Sequence, residues 1–577
     1  MKIIRWGNKF EESMVINMKK VIPIGFEDFK EIIDKGMYYV DKTYMIKELI
    51  EQYGKVNLFT RPRRFGKTLN LSMLRRFFEM EPDGEGGWID NRYLFDGLKI
   101  SDCGEHYMAH QGQYPVIKLS LKSAKQPSYE LAYAMLRREI ADEFSRHSYL
   151  LNQIESDGGQ IRYKLIMSDK GSDNDYADAL RFLSNCLERY HKKKVIILID
   201  EYDVPLENAY FQGFYDRMVA FIRSLFESAL KTNDSLEFAI ITGCLRISRE
   251  SIFTGLNNLK IYSLSRYQFS DYFGFTQTEV MEMLKYYEIE DRFEEVKSWY
   301  DGYLFGNNDI YNPWSIINYV DGLCANQDSI VQAYWSNTSS NSIIRELIEE
   351  ADLATKKEIE QLIAGETIEK PVHEDITYED IHESKDNLWN FLYFTGYLKK
   401  ISEHLEDDTI YVQLAIPNTE IRSIYKRTIL AWFDKLIQKT DLTELIKAFE
   451  DGDCDKIGDF LSEQLMETIS FYDYAENYYH GFLVGILKCQ QRYEILSNRE
   501  SGMGRSDIIM KEMKFRGRAV ILELKVSDSF GTMEHMCDLA LQQIEEKQYE
   551  QSLLSEGCKS VLKYGICFYK KGCIVKK

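Results

Sequence analysis

Read for the rhythm of its apolar positions, the chain falls into three stretches. In the first, short apolar runs alternate with amphipathic ones. The runs at Lys55–Phe59, Pro115–Leu121, Val195–Ile199 and Glu237–Gly243 have the length of strands, and Val195-Ile196-Ile197-Leu198-Ile199 has no polar interruption. Such runs mark strands buried on both faces. Helical spacing covers Phe26–Lys35, Thr43–Glu51, Thr68 to about Phe78, 128–147, 174–192 and Tyr215–Lys231. Strands alternating with helices predict βαβ units and a sheet covered on both sides. Right-handed crossovers then bring the strand C-termini, and any ligand, to one edge.

From about Phe275 the rhythm changes. Residues 276–290, 314–325, 341–350, 354–363, 384–398, 419–437 and 441–467 read as mostly helical, with Tyr311-Asn312-Pro313-Trp314 capping one helix. Near Phe471 the pattern changes again, to a helix followed by alternating strands. The fold class is α/β multidomain, and 577 residues suit three to four domains at roughly 150 each. The boundaries are expected at an N-terminal extension 1–19, a first domain 20–275, a helical middle region 276–465 and a C-terminal domain 466–577.

Charge and cysteine usage narrow the classes. A net charge of −20 excludes a protein that coats nucleic acid with its whole surface, so nucleic acid must be met through a local basic channel. Ten cysteines lie scattered with no Cys-x-x-Cys pair, which reads as reduced intracellular thiols. No signal peptide and no apolar stretch of about 18 residues is present, so a cytoplasmic protein with no membrane span is expected. Met18, before Lys19-Lys20, is the expected true start, with residues 1–17 a frayed extension.

The first candidate chemistry lies between a strand and a helix, in Arg61-Pro62-Arg63-Arg64-Phe65-Gly66-Lys67-Thr68. Gly66 admits close approach of a phosphate, and the N–H groups at the helix start face that anion. Lys67 can reach terminal phosphates and Thr68 can ligate Mg²⁺. The full signature asks for glycine where this chain has Arg61, so a basic turn that happens to contain Gly-Lys-Thr is the alternative. Asp200, at the end of an apolar strand, is the carboxylate an NTPase needs for Mg²⁺, and Glu201 beside it can polarise an attacking water. Loop and acids strengthen each other. Arg246, past Thr242-Gly243, reads equally as a γ-phosphate contact or a surface arginine. Arg61, Arg63 and Arg64 read as phosphate contacts or as the basic lip of a nucleic-acid path.

The second constellation lies near the C-terminus. Gly504-Arg505-Ser506-Asp507 opens one strand and Ala519-Val520-Ile521-Leu522-Glu523-Leu524-Lys525-Val526 forms the next. Strand alternation puts Glu523 and Lys525 on one face, and hairpin pairing brings Asp507 beside Glu523. Two carboxylates are hard ligands for Mg²⁺, and Lys525 can orient a water. A helix after Ala540 can lay Gln543 near the site. Glu476 and His480 share a helix face; Glu476 is a further candidate metal ligand and His480 a packing residue. A Glu-x-Lys alone is more often a solvated strand face.

Together these motifs resemble a bacterial family that joins an AAA-ATPase-like domain to a PD-(D/E)XK nuclease-superfamily domain. Also matching are Tyr39-Val40-Asp41-Lys42-Thr43, Ile199-Asp200-Glu201-Tyr202-Asp203, Thr242-Gly243 through Gly255-Leu256-Asn257-Asn258-Leu259, Tyr479-His480-Gly481-Phe482 and Gln543-Ile544 with Tyr549. The resemblance implies a P-loop NTPase-like parallel sheet and a C-terminal α/β restriction-endonuclease-like fold. It makes the loop without its first glycine a family trait. The expected ATP-binding residues are Arg63, Arg64, Gly66, Lys67, Thr68, Asp200 and Arg246, with Glu201 catalytic. The resemblance implies a nuclease triad of Asp507, Glu523 and Lys525, supported by Glu476 and Gln543. Expected metal ligands are Thr68, Asp200, Glu476, Asp507 and Glu523, the cofactors ATP and Mg²⁺. The expected partner is nucleic acid, DNA first, with a second copy or a protein partner on the middle region. The alternative function is a nucleotide-controlled scaffold that does not cut.

Overall fold

The computed structural model describes residues 19–577 apart from 84–86, 247–251, 254–257, 336–351, 374–383, 428–441, 468–475, 489, 491, 502–503 and 515. Residues 1–18 of the expected extension 1–19, Met18 among them, lie outside the described residues. The chain forms two compact units, Met1–Trp335 with Lys370–Glu420, and Ser336–Glu369 with Ile421–Lys577.

The first unit is built on the strands β1 (Val56–Thr60), β2 (Glu81–Pro82), β3 (Trp88–Ile89), β4 (Val116–Ser120), β5 (Val195–Asp200), β6 (Leu236–Gly243) and β7 (Leu259–Tyr262). Five of them make a parallel sheet in the order β4–β5–β6–β1–β7. All six residues of β5 and all five of β1 are buried, because helices cover both faces. The order leaves β6 between the strand that leads into the phosphate loop and the strand that ends in Asp200. The ends of β1, β5 and β6 therefore line up along one edge. The stretch read as one helix over 174–192 is two, Asp173–Ala177 and Ala179–His191. They part at Asp178, whose backbone leaves the helical region and whose carboxylate binds Arg162 and Arg181.

Short strands β8 (Phe275–Thr276), β9 (Tyr303–Phe305) and β10 (Asn308–Tyr311) form a small sheet beside the phosphate loop. The helix Pro313–Ala325 then begins as its sequence implies: the Asn312 side chain accepts hydrogen bonds from the N–H groups of Trp314 and Ser315, at 2.9 and 3.4 Å. The middle of the chain also holds β11 (Ile368–Pro371), β12 (Lys399–Glu406) and β13 (Thr409–Ala415), in the order β11–β13–β12. Most of β12 is exposed, so burial writes no clean alternation there.

In the second unit β14 (Tyr493–Ser501), β15 (Gly504–Glu512), β16 (Arg518–Val526), β17 (Ser560–Tyr569) and β18 (Gly572–Lys576) form a mixed sheet in sequence order. Only the β16–β17 pair is parallel, and its crossover is the helices Met533–Glu546 and Tyr549–Ser555. Along β16, Val520, Leu522 and Leu524 enter one core with helix Glu476–Lys488, while Ala519 and Ile521 enter another with the crossover helices. Period-two alternation sends Glu523 and Lys525 to this second face.

Candidate functional site

The phosphate loop is fixed by contacts within its own unit. Gly66 has φ 80° and precedes helix Lys67–Phe78; no atom lies within 4 Å of where a Cβ would stand, so the cradle at the helix start is open. Arg64 is also left-handed, at φ 70°, and its guanidinium lies 4.3 Å over the Trp314 ring. Phe65 is fully buried, with its ring 4.9 Å from Tyr303 and 5.2 Å from Phe305, and its carbonyl accepts from Gly274 N–H at 3.1 Å. A side chain at Gly274 would meet the Phe65 ring at 2.9 Å, so this close approach requires glycine.

Arg61 takes neither of the roles read from sequence. It is fully buried and donates to the carbonyls of Thr60, Tyr262 and Phe269 at 2.8, 2.7 and 3.3 Å. Its guanidinium stacks over Phe273 and Phe305, and burial pulls its pKa down to about 9. The residue that stands for the missing glycine thus anchors the loop from below. Arg63 pairs with Glu207, whose carboxyl burial raises, with Arg63 opposing.

Lys67 is 5% exposed and donates to the carbonyls of Arg61 and Pro62, both at 2.9 Å, with Cys244 Sγ 3.7 Å away. Thr68 Oγ1 donates to Asp200 Oδ2 at 2.7 Å, and Thr242 Oγ1 donates to Asp200 Oδ1 at 2.5 Å. Glu201 N–H donates to Thr242 Oγ1 at 3.3 Å. Thr242-Gly243 reads from the sequence as a strand end and as part of the matching motif, with no site role for Thr242; the available signal for one was its place at the end of β6, the counterpart of Asp200 at the end of β5. Glu201 has φ 52°, a left-handed backbone uncommon for a non-glycine residue. Burial raises its carboxyl, Lys67 opposes, and Asp200 and Asp203 add to the rise. Arg246 is half-buried three residues past Gly243. A cavity of about 550 Å³ opens beside Thr68 and Asp200 and runs between helices Lys67–Phe78 and Tyr129–Arg146.

The second set also converges. The β15–β16 register pairs Ile508 with Leu522, which puts Asp507 and Glu523 one step further along. Asp507 Oδ2 accepts from Leu524 N–H at 2.8 Å. Glu523 is fully buried, accepts from the Gln543 amide and lies 3.7 Å from Lys525 Nζ. Burial raises the Tyr549 phenol, with Glu523 and then Asp507 as neighbouring charges and Gln543 bonding to it. His480 Nε2 lies 3.0 Å from the Asp507 carbonyl and 3.2 Å from Ser497 Oγ, a bracing position for the strand that carries Asp507. Glu476 opens the helix Glu476–Lys488, but its side chain lies outside the described ones. Among the described residues no three His, Cys, Asp or Glu side chains gather as a metal cluster. The donors that are present, a hydroxyl with a carboxylate at Thr68–Asp200 and the carboxylates Asp507 and Glu523, are hard oxygens that fit Mg²⁺.

A parallel sheet with a glycine-lysine-threonine loop at one strand end and an acid at another defines a P-loop NTPase-like domain. A mixed sheet presenting Asp507, Glu523 and Lys525 together defines a nuclease-like one. Comparison with known proteins agrees: residues 23–253 match the family model described as "Predicted AAA-ATPase", AAA-ATPase-like, and residues 474–577 match that of the PD-(D/E)XK nuclease superfamily. The chain therefore carries an AAA-ATPase-like domain and a PD-(D/E)XK nuclease-superfamily domain. It is also similar to "Uncharacterized protein in vnfD 5'region" of Azotobacter chroococcum mcd 1, with 28% identity over 369 residues. That match covers 61% of this chain and 60% of the relative. Among the described residues no helix is long and apolar enough to cross a membrane.

Proposed function

We propose that this protein binds ATP in its first domain and uses that state to control metal-dependent phosphodiester hydrolysis in its last. The observation that carries this reading is the buried Glu523 carboxylate, held by the Gln543 amide beside the Lys525 ammonium, with Asp507 on the paired strand. A carboxylate and an ammonium kept together on a sheet face are costly to bury for structure alone. Mg²⁺ held by Asp507 and Glu523 would supply a Lewis acid for the phosphate and a lower pKa for bound water. Lys525 orients that water and offsets charge on the phosphate, while Gln543 fixes Glu523.

In the first domain Gly66 and the helix N-terminus receive the phosphates, and Lys67 exchanges its two loop carbonyls for the terminal phosphate, a stronger charge-assisted partner. Thr68 and Asp200 would hold Mg²⁺, Arg63, Arg64 and Arg246 would offset phosphate charge, and Glu201 would take a proton from the attacking water. Movement of the loop passes to the middle region through Phe65 against Tyr303 and Phe305. The domains are read as 1–19, 20–275, 276–465 and 466–577, in the cytoplasm, with DNA as first substrate through a local basic channel. A second copy or a protein partner is assigned to the middle region.

The test is cleavage of single- and double-stranded DNA and RNA with Mg²⁺ or Mn²⁺, with and without ATP, using wild type, Asp507→Ala and Lys67→Ala. Cleavage lost in Asp507→Ala supports the nuclease, and loss of its ATP dependence in Lys67→Ala supports the coupling. ATP binding with no cleavage of any substrate replaces this reading with the nucleotide-controlled scaffold.

A further inference from the structure

The two strands that carry the second site separate at the site itself. The β15–β16 ladder runs from Lys511 and Ala519 to Ile508 and Leu522 and ends there. β15 stays paired with β14 as far as Gly504, and β16 stays paired with β17 as far as Val526. One step past the last β15–β16 rung, the Asp507 carboxylate accepts from Leu524 N–H at 2.8 Å. Asp507, Glu523 and Lys525 therefore stand at the root of a fork. It opens toward the start of β15 and the end of β16. A phosphodiester that reaches these groups from solvent comes in through that opening.

Past the fork, β16 leads through a short turn into helix Met533–Glu546, which carries Gln543. Hydroxyl groups brace that turn. Ser527 Oγ donates to the Ser529 carbonyl at 2.8 Å and lies 2.6 Å from Thr532 Oγ1, which is 2.9 Å from Ser529 Oγ. Ser527 N–H donates to the Phe568 carbonyl at 2.9 Å, and Met533 is fully buried with Cys537 and Cys567. The turn is thus fixed at both ends. Phe530, between them, is 68% exposed, the most exposed large apolar side chain among the described residues of the second unit. A ring held in water by a rigid turn gains from a flat apolar partner. Five residues separate Phe530 from Lys525, at most about 18 Å of chain. That is about five nucleotides at the ~3.4 Å rise of one strand, so the substrate of the site is within reach. Asp528 and Glu534 flank the ring in the chain, with Lys576 3.6 Å from Glu534. Acids on both sides disfavour a phosphate there. The uncharged face of a base is the part of a strand left to meet the ring, and only an unpaired base has a face to give.

We propose that Phe530 stacks on an unpaired base of the strand being cut, near the phosphodiester held at the fork, and so selects single-stranded nucleic acid. This rests on the nuclease reading above. Binding is measured by fluorescence anisotropy on the full chain carrying Asp507→Ala, so that the strand stays whole. The probes are short single strands of DNA and of RNA and a blunt DNA duplex, with a fluorescent adenine analogue at each position in turn. Adding Phe530→Ala is expected to weaken single-strand binding about tenfold and to leave duplex binding unchanged. Phe530→Trp is expected to keep the affinity, and Phe530→Leu, apolar but not flat, to lose it. Emission of the analogue is expected to change at one or two positions, and not when Phe530→Ala is present. The proposal is overturned if Phe530→Ala leaves single-strand binding unchanged, if Phe530→Leu retains it, or if duplex binding falls as far. Cleavage lost only in Asp507→Ala then leaves the nuclease reading standing. Weaker binding in Phe530→Ala, with no strand cut by the wild type, keeps the stacking contact and removes the nuclease. No strand bound or cut up to millimolar concentration overturns both.

Discussion

The two sites hold their lysines in opposite ways. Lys67 is buried against two backbone carbonyls of its own loop, whereas Lys525 stands beside a carboxylate, 3.7 Å from Glu523. Carbonyl dipoles are weak partners that an incoming phosphate can displace. A carboxylate carries a full charge and holds its cation in place. The first site is thus arranged to exchange partners and the second to keep them. The surroundings agree: the loop rests on rings and on one glycine contact, while Glu523 is clamped between a sheet and a crossover helix.

The strongest way to break this contrast is to neutralise the fixed site without reshaping it. Glu523→Gln keeps the acceptor for Gln543 and removes the charge beside Lys525, so cleavage should fall about a thousandfold with folding intact. Circular dichroism and single-turnover cleavage measured together check it, and retained cleavage would remove Glu523 from the chemistry. Next in size is Arg61→Gly, which restores the glycine of an ordinary phosphate loop. Three carbonyls lose a buried donor, so the chain should lose about 3 kcal/mol or more in denaturant unfolding. A neutral result would show that the loop does not rest on its arginine.

A pH profile sharpens the comparison further. Burial raises Glu201 above its ordinary 4.5. A raised carboxyl stays protonated to higher pH, so a base there is lost earlier on acidification. The acid limb of ATP turnover should therefore lie above 4.5, and a limb at or below that value would exclude Glu201 as the base. The smallest effect is expected at Arg64→Ala. It removes a cation–π contact with Trp314, and stability measured by thermal melting should fall by only about 0.5–1 kcal/mol. A larger loss would mean that this contact carries more of the loop than its geometry indicates.

Much of both sites was legible because it is local. Gly66-Lys67-Thr68 follows an apolar strand, Asp200-Glu201 ends another, and Glu523-x-Lys525 alternates along a third, so spacing alone put those groups on shared edges or faces. The Gln543 contact was legible too, as a helix following the strand it covers. The strands β9, β10, β12 and β13 were not. They are short or largely exposed, so neither length nor alternation marks them against their helical neighbours.

What the sequence by itself determined is the succession of the long buried strands and their helices and the residue types at those strand ends, since these depend on neighbours within one turn or one strand. What only the tertiary structure decided is where remote groups meet. Arg61 turns into the floor because Tyr262 and Phe269 offer carbonyls there, 201 and 208 residues away in the chain. Thr242 reaches Asp200 because β6 lies between β5 and β1. Trp88, Tyr149 and Tyr190 form one pocket only because a two-residue strand folds over the ends of two helices. Periodicity records which way a side chain points from its own element, and it carries no information about which distant element will stand opposite.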